Sequence, residues 1–260
     1  MGPGNTEYMS LRALRVIEEA HVIAGYTTYV ALIKELISGK KIIATSMKKE
    51  VDRVQAAIDT ALSGHSCAIV CSGDPGIYAM AGLVFEICKK KNIPILKPGH
   101  CETYQEGLYL EVVPGIPALA SGASLLGAPL THDFASISLS DLLTPWEVIE
   151  KRIASAAAAD FVLVIFNPKS KKRDWQLKKA QEIVLQFRSP ETPVGIVKNA
   201  MRNNQEVSMI ALKALHNADV NMLTTVFIGS SASASYLDFM FTPRGYLEKY
   251  ALPKTNGGRR

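Results

Sequence analysis

A turn of sequence Cys71-Ser72-Gly73-Asp74-Pro75-Gly76-Ile77 follows the apolar run Ala68-Ile69-Val70 and precedes a helical pattern ending on Lys89-Lys90-Lys91. A strand entering a small polar turn, with a helix leaving it, is where open α/β sheets bind ligands, at the carboxyl ends of their strands. Gly73 lets the backbone come close to a ligand, because no side chain stands in the way. Asp74 can accept hydrogen bonds, either within the turn, as an Asx turn capping the next helix, or from a ligand amino group. Farther along, His132-Asp133 are residue types that move protons on a substrate, or that simply pair with each other and their neighbours. Lys169, Lys171, Lys172 and Arg173 form a basic run after one predicted strand, and Arg202 follows another. Such cations suit the carboxylates of an anionic small molecule, or a solvated helix start. Tyr26 and Tyr29 follow a third strand and either line a ligand site or belong to the core.

Other chemistries are disfavoured. Gly2-Pro3-Gly4-Asn5-Thr6-Glu7 is not a dinucleotide fingerprint, since Glu7 stands where the third glycine would be and no strand precedes it. No glycine-lysine-serine run of a phosphate loop occurs. The four cysteines, Cys67, Cys71, Cys88 and Cys101, form no CxxC pair and no zinc spacing, so we read them as reduced, buried thiols and expect no metal site. The 260 residues are 48% hydrophobic and 20% charged, a globular balance. The net charge of +5 is mild, part of it lies in the tail from Lys254, and no basic stripe with interleaved aromatics points to nucleic acid. No apolar run is long enough for a membrane span and no signal peptide is visible, which predicts a cytoplasmic protein without a membrane partner.

The elements that must position these residues alternate between short apolar runs and helical patterns. Strands are predicted at 22–24, 42–44, from 68, and at 110–113. Helices are predicted at 10–20, 29–37, 50–62 and 77–90. Pro114-Gly115 ends a strand, and the small-residue segment behind it reads as a helix that permits close backbone approach. A second series follows, with strands at 135–139, 161–166, 194–197, 207–210 and 224–229 and helices at 145–156 and 175–187. This predicts an α/β protein with mostly parallel or mixed sheets and two α/β domains, 1–113 and 114–245, followed by a basic tail, 246–260.

Residue blocks over nearly the whole chain carry a resemblance. They are GPGN at Gly2, AGYTTYV at Ala24, SGDPGIYAMAGLVFE at Ser72 and VVPGIPALASGASLLGAPLTHDFASISLSDLLTPWEVIEKR at Val112. After them come IFNPKSKKR at Ile165, VGIVKNA at Val194, LTTVFIGSS at Leu223 and TPRGY at Thr242. In this order they resemble the tetrapyrrole methylases, the class III S-adenosylmethionine-dependent methyltransferases. The long block around His132 resembles the branch that methylates carbon 17 of a precorrin or cobalt-precorrin and contracts its ring in cobalamin biosynthesis.

The resemblance implies a folded S-adenosylmethionine in a cleft between two domains, held by Pro3, Ser72, Gly73, Asp74, Ile77, Pro117, Ala118, Asn167 and Ala200. It leaves His132 and Asp133 as candidates for proton movement, and Tyr26, Lys169, Arg173 and Arg202 as candidates for substrate. It also implies a homodimer. The family's sheet opens with an apolar strand ahead of GPG; none precedes Gly2 here, so the first strand of the sheet is expected to be missing. Methylation at another precorrin carbon, or a non-catalytic tetrapyrrole- or cofactor-binding protein, are the alternatives.

Overall fold

Ser10 starts the first helix: its hydroxyl accepts a hydrogen bond from the Ala13 amide at 3.1 Å, and α1 runs over Leu11–Glu19. The structure is a computed structural model that describes residues 1–97, 107–170 and 173–252. Cys101, Lys171, Lys172 and the basic tail from Lys254 lie outside the described residues. The chain divides into two units, one of Met1–Ser121 with Met201–Asn203 and one of Gly122–Ala200 with Asn204–Arg260.

In the first unit α1 is followed by β1 (Val22–Tyr26), α2 (Thr27–Leu32), β2 (Lys41–Thr45), α3 (Glu50–Leu62), β3 (Cys67–Val70) and α4 (Ala81–Lys90). Two short strands, β4 (Ile95–Leu96) and β5 (Leu108–Tyr109), then lead to α5 (Ala118–Leu126), which crosses into the second unit. The apolar run of β1 is buried because it is the central strand, paired in parallel with β2 on one side and β3 on the other. One core gathers Ile17, Ile23, Ile33, Ile37 and Val70; another gathers Val54, Ile58, Val84, Cys88 and Leu108. Each such aliphatic side chain contributes about 1.5–3 kcal/mol when fully buried. α4 begins later than the predicted 77, because Tyr78 takes the left-handed φ of 52° and breaks the helical run.

The predicted strand at 110–113 carries no ladder; pairing stops at Tyr109, after which the Leu110 amide donates to the Leu96 carbonyl at 3.0 Å. The reason is the gap beside it. Among the described residues β3 pairs along one edge only, and its other edge lines an apolar groove whose far wall is Leu110 to Val113, with Val16 and Ile17 of α1 and Met80 and Val84 completing it. The Met1 ammonium also lines the groove and donates to the Cys71 carbonyl at 3.1 Å. Burial pulls its pKa below the usual amino-terminal range, against the pull of Cys71 and Asp74.

The second unit contains β6 (Gly127–Ala128), β7 (Phe134–Ser138), α6 (Trp146–Ala158), β8 (Val162–Phe166), α7 (Gln176–Val184), β9 (Pro193–Lys198), β10 (Glu206–Ala211) and β11 (Thr224–Ile228). A hairpin of β12 (Ala234–Tyr236) and β13 (Phe239–Phe241) and the short α8 (Tyr246–Lys249) close the described chain. The main sheet has the order β10-β9-β11-β8-β7 and is mixed: only β7 and β8 are parallel. β9 and β8 are both antiparallel to β11, so β7, β8 and β9 all end on the same edge. The small residues of α5 admit the sheet closely: a Cβ on Gly122 would stand 2.7 Å from the Phe227 ring. Among the described residues no helix is long and apolar enough to cross a membrane.

Candidate functional site

In the first unit the residues expected to hold a cofactor meet at the carboxyl end of β3, braced backbone against backbone. Gly2 and Gly73 exchange hydrogen bonds, the Gly2 amide to the Gly73 carbonyl at 3.1 Å and the Gly73 amide to the Gly2 carbonyl at 2.7 Å. Gly115 packs on this pair so closely that a Cβ there would lie 2.3 Å from the Gly73 carbonyl oxygen. Asp74 fastens the stack: Oδ1 accepts from the Gly76 amide at 2.8 Å, the Asx turn, and Oδ2 accepts from the Gly115 amide at 3.1 Å. Both carboxylate oxygens thus take backbone donors, which is the first of the two roles open from sequence. Ile77 closes the turn onto the Asp74 carbonyl at 3.3 Å. Gly73 has φ +73° and faces Pro117 and Ala118; a Cβ on it would stand 3.6 Å from Pro117 Cα and 3.9 Å from the Ala118 nitrogen. Any longer side chain would enter the space between these two backbone segments, so the cradle needs glycine.

Arg202 belongs to this unit as well. Its Nε donates to the Pro3 carbonyl at 2.6 Å and its Nη2 to Ser72 Oγ at 2.8 Å. Expected as a substrate cation, it engages two of the residues expected to hold the cofactor. Burial lowers its pKa, with Tyr29 opposing. Tyr29 stands edge-on to Tyr26 with ring centroids 5.3 Å apart; burial raises its hydroxyl pKa, and Arg202 and Arg53 counteract. Cys71 is buried and the Cys67 thiol is pushed up to about 11 by burial, so it stays protonated at neutral pH.

In the second unit Asn167 and Ala200 follow β8 and β9 and therefore lie on the same edge of the sheet. Asn167 has the left-handed φ of 52°, and its Nδ2 donates to Ser138 Oγ, at the end of β7, at 2.9 Å. Ala200 is flanked by Asn199 and Met201, both left-handed, with φ of 48° and 58°. Strained backbone of this kind concentrates at functional sites. Lys169 is exposed beside Asn167, whereas Arg173 is buried: its Nη2 donates to the Asn167 carbonyl at 2.8 Å, and burial lowers its pKa, with Asp141 opposing.

His132 and Asp133 are elsewhere. They precede β7, and the Val162 amide that opens β8 bonds the Asp133 carbonyl at 3.1 Å, so the pair sits on the amino-terminal edge of the sheet, one strand length from Ser138 and Asn167. Both are exposed and pair with each other at 3.5 Å. The geometry gives them a local contact, in which His132 Nδ1 accepts from the Asp133 amide at 2.8 Å, and does not bring them to Asn167 and Ala200. Residues not singled out from sequence are Gly115, Ser138 and Gln176; the PGI of the GPG-facing loop was the available signal for the first.

Residues 1–216 match the Tetrapyrrole (Corrin/Porphyrin) Methylases. The chain belongs to this family. Among curated tetrapyrrole methylases it is 50% identical over 98% of its length to the Cobalt-factor III methyltransferase of Priestia megaterium, of which it spans 45%. It is 41% identical over 95% of its length to the Probable cobalt-factor III C(17)-methyltransferase of Salmonella typhimurium, of which it spans 97%. Among solved structures, that of the methyltransferase CobJ superposes with a TM-score of 0.80 at 33% identity, covering 93% of this chain and 96% of the other. The two α/β units and mixed sheets described above are thus the tetrapyrrole methylase fold.

Proposed function

We propose that this chain transfers a methyl group from S-adenosylmethionine to carbon 17 of a precorrin or cobalt-precorrin, with ring contraction, in cobalamin biosynthesis. The observation that carries the reading is the likeness, over 95% of this chain and 97% of the relative, to a protein named as a C(17)-methyltransferase. The cobalt-containing substrate is favoured, because cobalt-factor III stands in the names of both relatives at 50% and 41% identity.

When bound, S-adenosylmethionine would supply an electrophilic methyl carbon, which passes to an electron-rich ring carbon as its bond to sulfur breaks and S-adenosylhomocysteine leaves. The protein's own part is to hold the reactants in line and keep water out. The cradle of Gly73 against Pro117 and Ala118 fits such a ligand, since it offers backbone groups and space that a side chain would fill. Pro3, Ser72, Asp74 and Ile77 shape that cradle, and Asn167 and Ala200 are assigned to the cofactor by their motif positions. Tyr26, Lys169 and Arg173 remain the substrate candidates. A cytoplasmic homodimer completes the reading; exposed Tyr236, Leu237 and Phe239 on the β12–β13 hairpin are apolar surface suited to a second copy. Mass spectrometry of the product from a precorrin-3-level tetrapyrrole, with and without cobalt, tests the reaction. A gain of one methyl group on the cobalt form is expected, and no S-adenosylhomocysteine release from either form would overturn it. Sedimentation tests the dimer.

A further inference from the structure

We propose that the loop of residues 140–144 in the second unit recognises the tetrapyrrole ring, with Leu142 and Leu143 laid against an apolar ring face and Asp141, Gln176 and Arg173 forming the base that holds them. The proposal rests on the reading above and names the part of this chain that would read that substrate.

The loop leaves the carboxyl end of β7, the same edge of the sheet from which Asn167 and Ala200 project. Leu142 is 72% and Leu143 94% exposed. One exposed leucine is ordinary; two in succession, at the ligand edge of a sheet and on a fastened loop, are not. On the β7 side, the Ser140 amide donates to Ser138 Oγ at 3.2 Å, and the same hydroxyl accepts from Asn167 Nδ2. Gln176 Nε2 donates to Asp141 Oδ2 at 2.8 Å. On the α6 side, Trp146 stands edge-to-face with Trp175, centroids 4.8 Å apart. The apolar tip is therefore presented rather than loose.

Its base has open polar valences. Arg173 is 8% exposed and Gln176 2%, yet among the described residues Arg173 Nε and Gln176 Oε1 have no hydrogen-bond partner. Buried donors and acceptors are rarely left so, and a bound polar group is one way to complete them. Arg173 is a cation beside Asn167, and exposed Lys169 follows two residues after Asn167. Precorrins combine an apolar conjugated ring with peripheral acetate and propionate carboxylates. An apolar tip with Arg173 and Lys169 as its cations matches that combination, Asp141 offsetting part of their charge.

The test uses the full chain and uroporphyrin III, a stable tetrapyrrole octacarboxylate, titrated by absorbance alongside calorimetric titration of S-adenosylhomocysteine. Leu142→Ser with Leu143→Ser should weaken uroporphyrin binding roughly tenfold or more, the scale for a leucine burying its side chain against a ligand. Melting temperature and S-adenosylhomocysteine affinity should stay unchanged, since both leucines are exposed. Gln176→Leu should raise KM for the tetrapyrrole with little change in kcat, which a merely destabilised fold would not do. Unchanged uroporphyrin binding in the double variant overturns the proposal while leaving the methyltransferase reading intact. So does a double variant that loses its oligomeric state in sedimentation but binds uroporphyrin normally, which would make the tip a contact with a second copy. Wild-type protein that binds neither uroporphyrin nor a precorrin overturns the proposal and the reading together.

Discussion

Arg202 holds Ser72: its Nη2 donates to Ser72 Oγ at 2.8 Å while its Nε donates to the Pro3 carbonyl at 2.6 Å. One planar guanidinium thus joins the glycine-proline loop at the start of the chain to the turn after β3, both expected to touch the cofactor. A guanidinium suits this because its donors are fixed in a fork; lysine could satisfy only one partner with comparable geometry.

Replacing Arg202 should therefore act on the cofactor. Arg202→Ala is expected to weaken S-adenosylhomocysteine binding about ten- to hundredfold, the scale of one charge-assisted hydrogen bond of about 1.5–3 kcal/mol. Ser72→Ala should cost less, because the Pro3 contact survives. Calorimetry decides it: normal affinity for S-adenosylhomocysteine with lost tetrapyrrole binding would return Arg202 to the substrate.

The glycine stack makes a second test. At Gly115 even a methyl group would stand 2.3 Å from the Gly73 carbonyl oxygen, and backbone cannot yield as a flexible side chain would. Gly115→Ala should destabilise the first unit by about 1–3 kcal/mol and weaken cofactor binding with it. Gly82→Ala is the control, since Gly82, like Gly115, has no positive φ, and a Cβ on it would meet nothing within 4 Å. Equal melting temperatures for the two variants would contradict the packing argument.

Asp160 links stability to pH. It loses some solvation on burial, yet hydrogen bonds from the Ser231 amide and hydroxyl and the nearby Arg188 hold its carboxyl below the usual range. A carboxyl with a depressed folded pKa adds stability above its unfolded pKa, and that stability is lost as pH falls through the folded value. Asp160→Asn should lower stability at pH 7 by about 0.5–1 kcal/mol, a modest figure because the carboxylate is half-exposed. The difference from wild type should shrink in acid. Denaturant titrations at pH 7 and pH 3 measure it; a gap that widened in acid would refute the assignment.

The groove along β3 predicts a gain. About six apolar residues added ahead of Met1 would replace a buried ammonium by a peptide N–H and offer β3 a partner on its open edge. Melting should rise by about 2–4 °C for each kcal/mol gained. The same extension with lysine at alternate positions should give less. Identical melting for both would mean the groove takes no strand.

Much of the fold was legible because local signals agreed. Glu50–Leu62 matches its amphipathic pattern at both ends, and β8, β9 and β11 follow their apolar runs within a residue or so. Strand direction was legible where strands alternate with helices, as in the parallel first sheet, but not in the second, where tertiary pairing sets a mostly antiparallel order. The β12–β13 hairpin escaped because its turn places Leu237, not glycine or asparagine, at a φ of 52°. In the site, the glycines and Asp74 stood out by type, but the reach of Arg202 to Ser72 spans 130 positions and no local pattern foretells it. His132-Asp133 precede β7, so chain order alone puts them at its amino end.

Met201–Asn203 pack with the first unit although the residues on either side belong to the second. No single crossover point in the gene can then exchange one unit for that of a relative without also splitting it. A chimera joined at Ser121 would carry its amino-terminal loop from one parent and its Arg202 from the other, and would be sound only where both parents place an arginine to meet the carbonyl of Pro3 and the hydroxyl of Ser72. Inheritance of this cofactor cradle is therefore tied to two distant stretches of coding sequence that must change together.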